Sequence, residues 1–125
     1  MKRILVVEDN PNNMYLVRVM LTHAAHAVIE ATTAEEGIAL ARVEQPDLIL
    51  MDIQLPGIDG LEATRRLRAE EATRAIPVVA LTSYAMKGDR EKALAAGCSG
   101  YMEKPINPDT FMTNIESALA GNYVK

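Results

Sequence analysis

The chain has 125 residues, 49% of them hydrophobic, which is enough for one sizeable core and too few for two ordinary domains. Lys and Arg number 13 against 17 for Asp and Glu, and the net charge of −4 argues against nucleic acid or an anionic membrane as a direct partner. The single cysteine, Cys98, excludes an internal disulfide and fits a reducing cytoplasm. The apolar run at residues 4–7 is too short for a signal peptide or membrane span. We therefore predict one unexported, cytoplasmic domain over residues 1–125.

Apolar runs alternate with segments of helical periodicity along the chain, which is typical of βα units on a parallel sheet. The predicted strands lie at residues 4–7, 27–31, 48–51, 78–81 and 101–102. Capping signals predict the starts of four helices, at Asn10-Pro11, Thr33 with Glu36, Asp59 with Glu62, and Asn107-Pro108. The fourth helix in chain order is predicted to run from about Asp89 to Ala96 and to stop at Gly97. The run at 48–51 is apolar at every position, so we predict that it is the central strand, covered on both faces.

Polar side chains follow the ends of several predicted strands. They are Glu8-Asp9, Asp52, Thr82 and Lys104. If the strands are parallel neighbours, these groups meet at one edge of the sheet, where open α/β proteins bind ligands. Carboxylates, a hydroxyl and an ammonium in one crevice predict a metal-assisted phosphoryl site.

The acids in this set predict a metal ion. Glu8 and Asp9 alone could be a solvated strand end that leads into a helix N-terminus, where acids are favoured. Asp52 changes this interpretation, because a carboxylate directly after a fully apolar strand is desolvated and close to the other acids. A hard cation such as Mg²⁺ would offset that cost, with Mn²⁺ as an alternative.

The remaining groups suit phosphoryl chemistry. An aspartate carboxylate can itself accept a phosphoryl group and form an acyl phosphate. Lys104 and Mg²⁺ can neutralise the negative charge of the transferring group, while Thr82 and backbone N–H groups after Asp52 can donate hydrogen bonds to it. Singly, Thr82 is typical of a strand-end cap and Lys104 of a surface ammonium. Their joint placement at strand ends favours the phosphoryl site.

Over essentially its whole length the chain resembles the receiver domains of two-component response regulators, the CheY-like superfamily. The resemblance is carried by Glu8-Asp9, Met51-Asp52, Leu55-Pro56-Gly57-Ile58-Asp59-Gly60, Thr82 and Lys104-Pro105. It implies a flavodoxin-like (βα)5 sandwich with a five-stranded parallel sheet of order 2-1-3-4-5. It also implies a phosphorylation-activated signalling switch, which is not an enzyme beyond self-catalysed phosphoryl acceptance and slow autodephosphorylation.

The resemblance also implies roles for individual residues. Asp52 would accept a phosphoryl group from a phosphohistidine on a sensor histidine kinase or a histidine phosphotransfer protein. The implied metal ligands are Glu8, Asp9, Asp52 and the backbone carbonyl of Gln54. Thr82 and Lys104 would contact the phosphoryl group, and the Lys104–Pro105 peptide bond would be cis.

Tyr101 matches the family's switch aromatic, and its alternative role is that of a half-buried strand tyrosine. The implied output is a downstream protein bound on the face of helix 4, strand 5 and helix 5. Gln54 and Tyr84 would flank the path of hydrolytic water. In one departure from the family pattern, residues 23–27 read His-Ala-Ala-His-Ala, where many receivers have a glycine before strand 2. We expect both histidines to be surface or capping residues.

Three alternative interpretations of the sequence make different predictions. An aspartate-based phosphatase of the haloacid dehalogenase type needs a second acid at the position of Gln54. An FMN-binding flavodoxin needs a glycine- and hydroxyl-rich loop where this chain has Glu8 and Asp9. The third alternative concerns context, because the chain resembles both single-domain regulators of the DivK type and receivers of hybrid histidine kinases. We expect a freestanding regulator, since one receiver uses residues 1–125.

Overall fold

The computed structural model describes residues 2–82, 88–104 and 106–121. The elements in chain order are β1 (Arg3–Val7), α1 (Pro11–His23), β2 (Ala27–Ala31), α2 (Ala34–Glu44), β3 (Leu48–Asp52), α3 (Gly60–Ala69), β4 (Val78–Thr82), α4 (Asp89–Ala96), β5 (Gly100–Glu103) and α5 (Pro108–Leu119). The strands form one five-stranded sheet of order β2-β1-β3-β4-β5, paired in parallel throughout. The predicted flavodoxin-like fold and strand order are confirmed.

The sheet is covered on both faces, which explains the uninterrupted apolar run of β3. Alternate β3 residues face opposite sides: Leu48 and Leu50 pack in the core with α1 and α5, and Ile49 and Met51 pack with α2, α3 and α4. All residues of β3 are buried. The strand order places β3 in the middle of the sheet, so the prediction of a central strand covered on both faces is confirmed.

The predicted capping residues start their helices. Side-chain oxygens of Asn10, Thr33, Asp59 and Asn107 each accept a hydrogen bond from a backbone N–H in the first turn of the following helix. Such caps satisfy N–H groups that the helix itself leaves without partners. They also fix where each helix begins, and so the length of the loop between each strand end and its helix.

The strand register aligns the polar ends of the strands. Val7 pairs with Met51, Asp52 with Leu81, and Thr82 with Glu103. One edge of the sheet therefore holds the residue after β1, the last residues of β3 and β4, and the residue after β5. This is the carboxyl edge, where the polar groups were predicted to meet.

The turn between α1 and β2 is closed without glycine. Ala25 takes the left-handed conformation with φ 68°. Its N–H donates to Thr22 O at 2.9 Å, and the N–H of His26 donates to Leu21 O at 3.0 Å. Left-handed backbone costs a residue with a Cβ about 1–2 kcal/mol. The His26 ring accepts from the N–H of Lys2 through Nδ1 and pairs with Glu116 through Nε2, at the start of the sheet rather than at its carboxyl edge.

Replacing Ala25 with glycine is expected to stabilise the protein by about 0.5–1 kcal/mol, because relief of the left-handed strain exceeds the entropy that glycine adds to the unfolded chain. Chemical denaturation of the variant measures this change in the free energy of unfolding. Ala24→Gly is the matched control, since Ala24 has φ −83° and gains nothing from glycine. An equal gain in both variants, or none in Ala25→Gly, would contradict the assignment of strain to Ala25.

Some sequence predictions fall on residues that the structure does not describe. The cis Lys104–Pro105 peptide bond, Tyr84 and most of the predicted loop at residues 85–89 lie outside the described residues. Within residues 2–82, 88–104 and 106–121, every helix is too short or too polar to cross a bilayer.

Candidate functional site

Three carboxylates cluster at the carboxyl edge of the sheet. One oxygen each from Glu8, Asp9 and Asp52 lie within 4.8 Å of one another. Glu8 is 1% exposed and Asp52 is 2% exposed, whereas Asp9 is exposed at the rim. The predicted acidic site is thus brought together by β1 and β3, with two buried members and one open to solvent.

Lys104 is the cation of this cluster. Its Nζ lies 2.6 Å from Glu8 Oε1 and 3.1 Å from Asp52 Oδ2, and its side chain is only 9% exposed. The backbone N–H of Lys104 donates to Thr82 O at 2.7 Å, so the end of β5 is fixed against the end of β4. The ammonium is therefore directed across the sheet edge toward both buried acids.

Charge and burial oppose each other at this site. Burial raises the pKa of Glu8, and the neighbouring Asp52 raises it further, against the lowering effect of Lys104. Burial alone would lower the pKa of Lys104, but the hydrogen bond to Glu8 and the charge of Asp52 outweigh it and raise that pKa. One ammonium does not fully compensate the buried carboxylates, so the site favours additional positive charge.

Backbone donors orient the two buried carboxylates. The N–H of Asn10 donates to Glu8 Oε2 at 3.1 Å, and the N–H of Gln54 donates to Asp52 Oδ1 at 3.1 Å. Clustered carboxylate oxygens with an exposed member are the hard donors that Mg²⁺ prefers when it also keeps waters. The residues present therefore fit the predicted cation.

Gly60 brings α3 against the end of β3, a requirement that the sequence motif did not reveal. A Cβ at Gly60 would lie 2.2 Å from the backbone oxygen of Asp52 and 2.9 Å from the Cα of Ile53. The N–H of Gly60 donates to Ile53 O at 3.0 Å. Only a residue without a side chain permits this approach, which fixes the loop that follows Asp52.

Thr82 lies at the end of β4 and is fully buried. The Gln54 side chain reaches it, because Nε2 of Gln54 donates to Oγ1 of Thr82 at 2.6 Å. The sequence placed both residues near the site but gave no sign of this contact, which depends on the distance between the β3–α3 loop and β4. Gln54 therefore contacts the site through both its backbone and its side chain.

Tyr101 is half-buried on β5 and packs with the core formed with α2, α3 and α4. Burial raises the pKa of its hydroxyl, with further contributions from the charges of Asp89 and Glu103. On the α5 side of β5 a cleft of about 280 Å³ is lined by Met102, Ile106 and Phe111, among others. The role of Tyr101 as a switch residue stays a prediction.

The fold and this edge define a flavodoxin-like α/β domain whose ligand site combines clustered acids with a buried lysine. A family model described as "Response regulator receiver domain" matches residues 4–116. The chain belongs to this family, the receiver domains of two-component response regulators, which are phosphorylation-activated signalling switches rather than classical enzymes.

Relatives and solved structures agree with this assignment. The chain is 45% identical over 118 residues to the polar-differentiation response regulator DivK of Brucella ovis, covering 94% of this chain and 96% of the relative. The receiver domain of a sensor histidine kinase from Pseudomonas aeruginosa, solved with a magnesium ion coordinated in its active site cleft, is 38% identical. It superposes with a TM-score of 0.86 over 96% of this chain and 98% of that one. A CheY-like receiver domain protein from Methanospirillum hungatei has 30% identity and a TM-score of 0.89, covering 98% and 96%.

Proposed function

We propose that this protein is a phosphorelay switch in which Asp52 receives a phosphoryl group from a phosphohistidine on a sensor histidine kinase or histidine phosphotransfer protein. The observation that carries this proposal is the position of the Lys104 ammonium, within hydrogen-bond distance of both Glu8 and Asp52. A buried lysine that bridges two buried acids can stabilise charge that arrives on one of them.

The proposed reaction is a direct displacement at phosphorus. A carboxylate oxygen of Asp52 attacks the phosphoryl group, the bond from phosphorus to the donor imidazole nitrogen breaks, and the nitrogen retains the electron pair. When bound, Mg²⁺ would neutralise charge on the phosphoryl oxygens. We propose that Glu8, Asp9, Asp52 and the backbone carbonyl of Gln54 hold this ion, and Mn²⁺ could replace it. Lys104 and Thr82 would contact the transferred group, and slow hydrolysis would reset the switch.

The donor protein is proposed to bind α1. This helix begins two residues after Asp9, and it exposes three large apolar side chains to solvent. Tyr15 is 61% exposed, Val19 46% and Leu16 37%. An exposed apolar group beside the phosphoacceptor would let a protein donor bury surface while it places its phosphohistidine near Asp52.

Replacing Val19 with glutamate should reduce phosphotransfer from a protein donor by about tenfold or more, because burying an unpaired carboxylate in an interface is costly. Phosphorylation by acetyl phosphate should be unchanged, since this small donor needs no docking surface. Val43→Glu is the control, because Val43 is also exposed, at 78%, but lies on α2. Equal losses with both donors would contradict the assignment of α1.

The proposed output is a protein bound on the face made by α4, β5 and α5. Phosphorylation would draw Thr82 toward the phosphoryl oxygens and let Tyr101 fill the space that it leaves, which shifts a pre-existing equilibrium of this face. Exposed Leu94 on α4 and the cleft beside Phe111 offer apolar surface there. We propose a cytoplasmic regulator whose receiver domain spans residues 1–125 and binds neither nucleic acid nor membrane directly.

The proposed function is tested by incubating the protein with acetyl phosphate and Mg²⁺ and measuring its intact mass. We expect the mass of one added phosphoryl group, and none in excess chelator. Full labelling without divalent metal, or no labelling with it, would contradict the proposal.

A further inference from the structure

We propose that the Gln54 side chain is a positioning residue that holds Thr82 in its resting conformation, so that activation must first break the Gln54–Thr82 hydrogen bond. This inference rests on the proposed function, because it assigns a restraint to the switch motion of Thr82. It differs from a role in hydrolysis, since it concerns the equilibrium between resting and active forms and not the lifetime of the phosphoryl group.

The backbone around Gln54 is fixed by three hydrogen bonds. The N–H of Gln54 donates to Asp52 Oδ1 at 3.1 Å, and the N–H groups of Leu55 and Gly60 both donate to Ile53 O at 3.0 Å. The loop after β3 is therefore anchored to the phosphoacceptor and to the start of α3. Gln54 can follow a moving Thr82 only by changing its own side-chain torsions.

The hydrogen bond itself is short and shielded from water. Nε2 of Gln54 lies 2.6 Å from Oγ1 of Thr82, whose residue is fully buried, while Gln54 is partly buried. In the resting form the Thr82 hydroxyl oxygen accepts a hydrogen bond from the Gln54 amide. In the active form the hydroxyl would donate its O–H to a phosphoryl oxygen, and its movement would leave the amide bond from Gln54 broken. A typical net hydrogen-bond contribution corresponds to a factor of about three to ten in an equilibrium constant, so the bond would favour the resting form by that factor.

The affinity for beryllofluoride, a mimic of the phosphoryl group, measures this restraint in saturating Mg²⁺. Gln54→Met retains an unbranched side chain of similar length but removes the amide donor. We expect it to bind beryllofluoride about three- to tenfold more tightly than wild type. In the Thr82→Ala background the same substitution should change the affinity by less than about 1.5-fold, because coupling between contacting residues disappears when one partner is absent.

Two further measurements exclude trivial explanations. Gln45→Met is the matched control. The Gln45 side chain donates to the backbone oxygens of Ala41, Arg42 and Ala72, and none of these bonds involves Thr82 or Asp52. Its beryllofluoride affinity should equal that of wild type. The side-chain amide resonances of Gln54 should also move when wild type binds beryllofluoride, since the bond to Thr82 is lost.

The outcomes separate this inference from the proposed function. The restraint would be overturned if Gln54→Met bound beryllofluoride no more tightly than wild type. It would also be overturned if the substitution tightened binding equally in the wild-type and Thr82→Ala backgrounds. Either result would leave the phosphoacceptor site intact. A wild type that does not bind beryllofluoride in Mg²⁺ would overturn both. Tightening that requires Thr82, with Gln45→Met unchanged, would establish Gln54 as the restraint.

Discussion

Replacing Asp52 with asparagine is expected to lower phosphorylation by acetyl phosphate and by a phosphohistidine donor at least about a hundredfold, because an amide cannot act as the carboxylate nucleophile. The fold should be retained, since asparagine has the same shape and its side-chain oxygen can still accept the hydrogen bond from the N–H of Gln54. Intact mass after incubation with each donor and Mg²⁺ measures the loss.

Asp59→Asn is the matched control for this substitution. Asp59 lies in the same loop, is exposed, and caps α3 by accepting from the N–H of Glu62 at 2.9 Å. Asparagine is an equally good capping residue, so neither stability nor phosphorylation should change. If Asp52→Asn were labelled as fully as Asp59→Asn, another residue would be the phosphoacceptor.

Replacing Lys104 with methionine is expected to increase Mg²⁺ affinity by about tenfold or more. The ammonium lies against two of the proposed ligands, Glu8 and Asp52, and two unit charges about 4 Å apart interact by about 4 kcal/mol at an effective dielectric constant of about 20. Calorimetric titration of Mg²⁺ measures the change. Thermal melts in saturating Mg²⁺ check that the variant is folded, because it leaves buried acids without their lysine.

Lys92→Met is the control for this titration, since Lys92 is an exposed lysine on α4 and its loss makes the same change in net charge. It should leave Mg²⁺ affinity nearly unchanged, because exposed charges are screened. Equal Mg²⁺ affinity in wild type and Lys104→Met would show that the lysine does not compete with the metal for Glu8 and Asp52.

Phosphorylated Lys104→Met should also fail to bind the downstream protein.

Much of the fold could be predicted from local pattern. The uninterrupted apolar run of β3 indicated a strand covered on both faces, and capping residues such as Thr33 and Asn107 fixed the starts of helices. Parallel strands place their carboxyl ends together, so polar residues after each apolar run predicted the acid cluster and Lys104 without knowledge of distances.

The rest depends on distances between elements that are far apart in sequence. The hydrogen bond from Gln54 to Thr82 joins residues 28 positions apart, and no periodicity indicates it. Gly60 stands in a recognisable motif, yet its requirement comes from the close approach of α3 to the Asp52 backbone. The left-handed conformation of Ala25 could not be predicted either, because glycine usually takes this position. The next residue, His26, is held by Lys2 and Glu116, which are distant in sequence.

A phosphoryl group on Asp52 should shift the conformational equilibrium of the face made by α4, β5 and α5. Amide chemical shifts of the Mg²⁺ form, recorded with and without beryllofluoride, test it most directly. We expect chemical-shift changes at Thr82 and Tyr101 and through residues 86 to 112. Changes confined to the immediate surroundings of Asp52, with Tyr101 and that range silent, would contradict it.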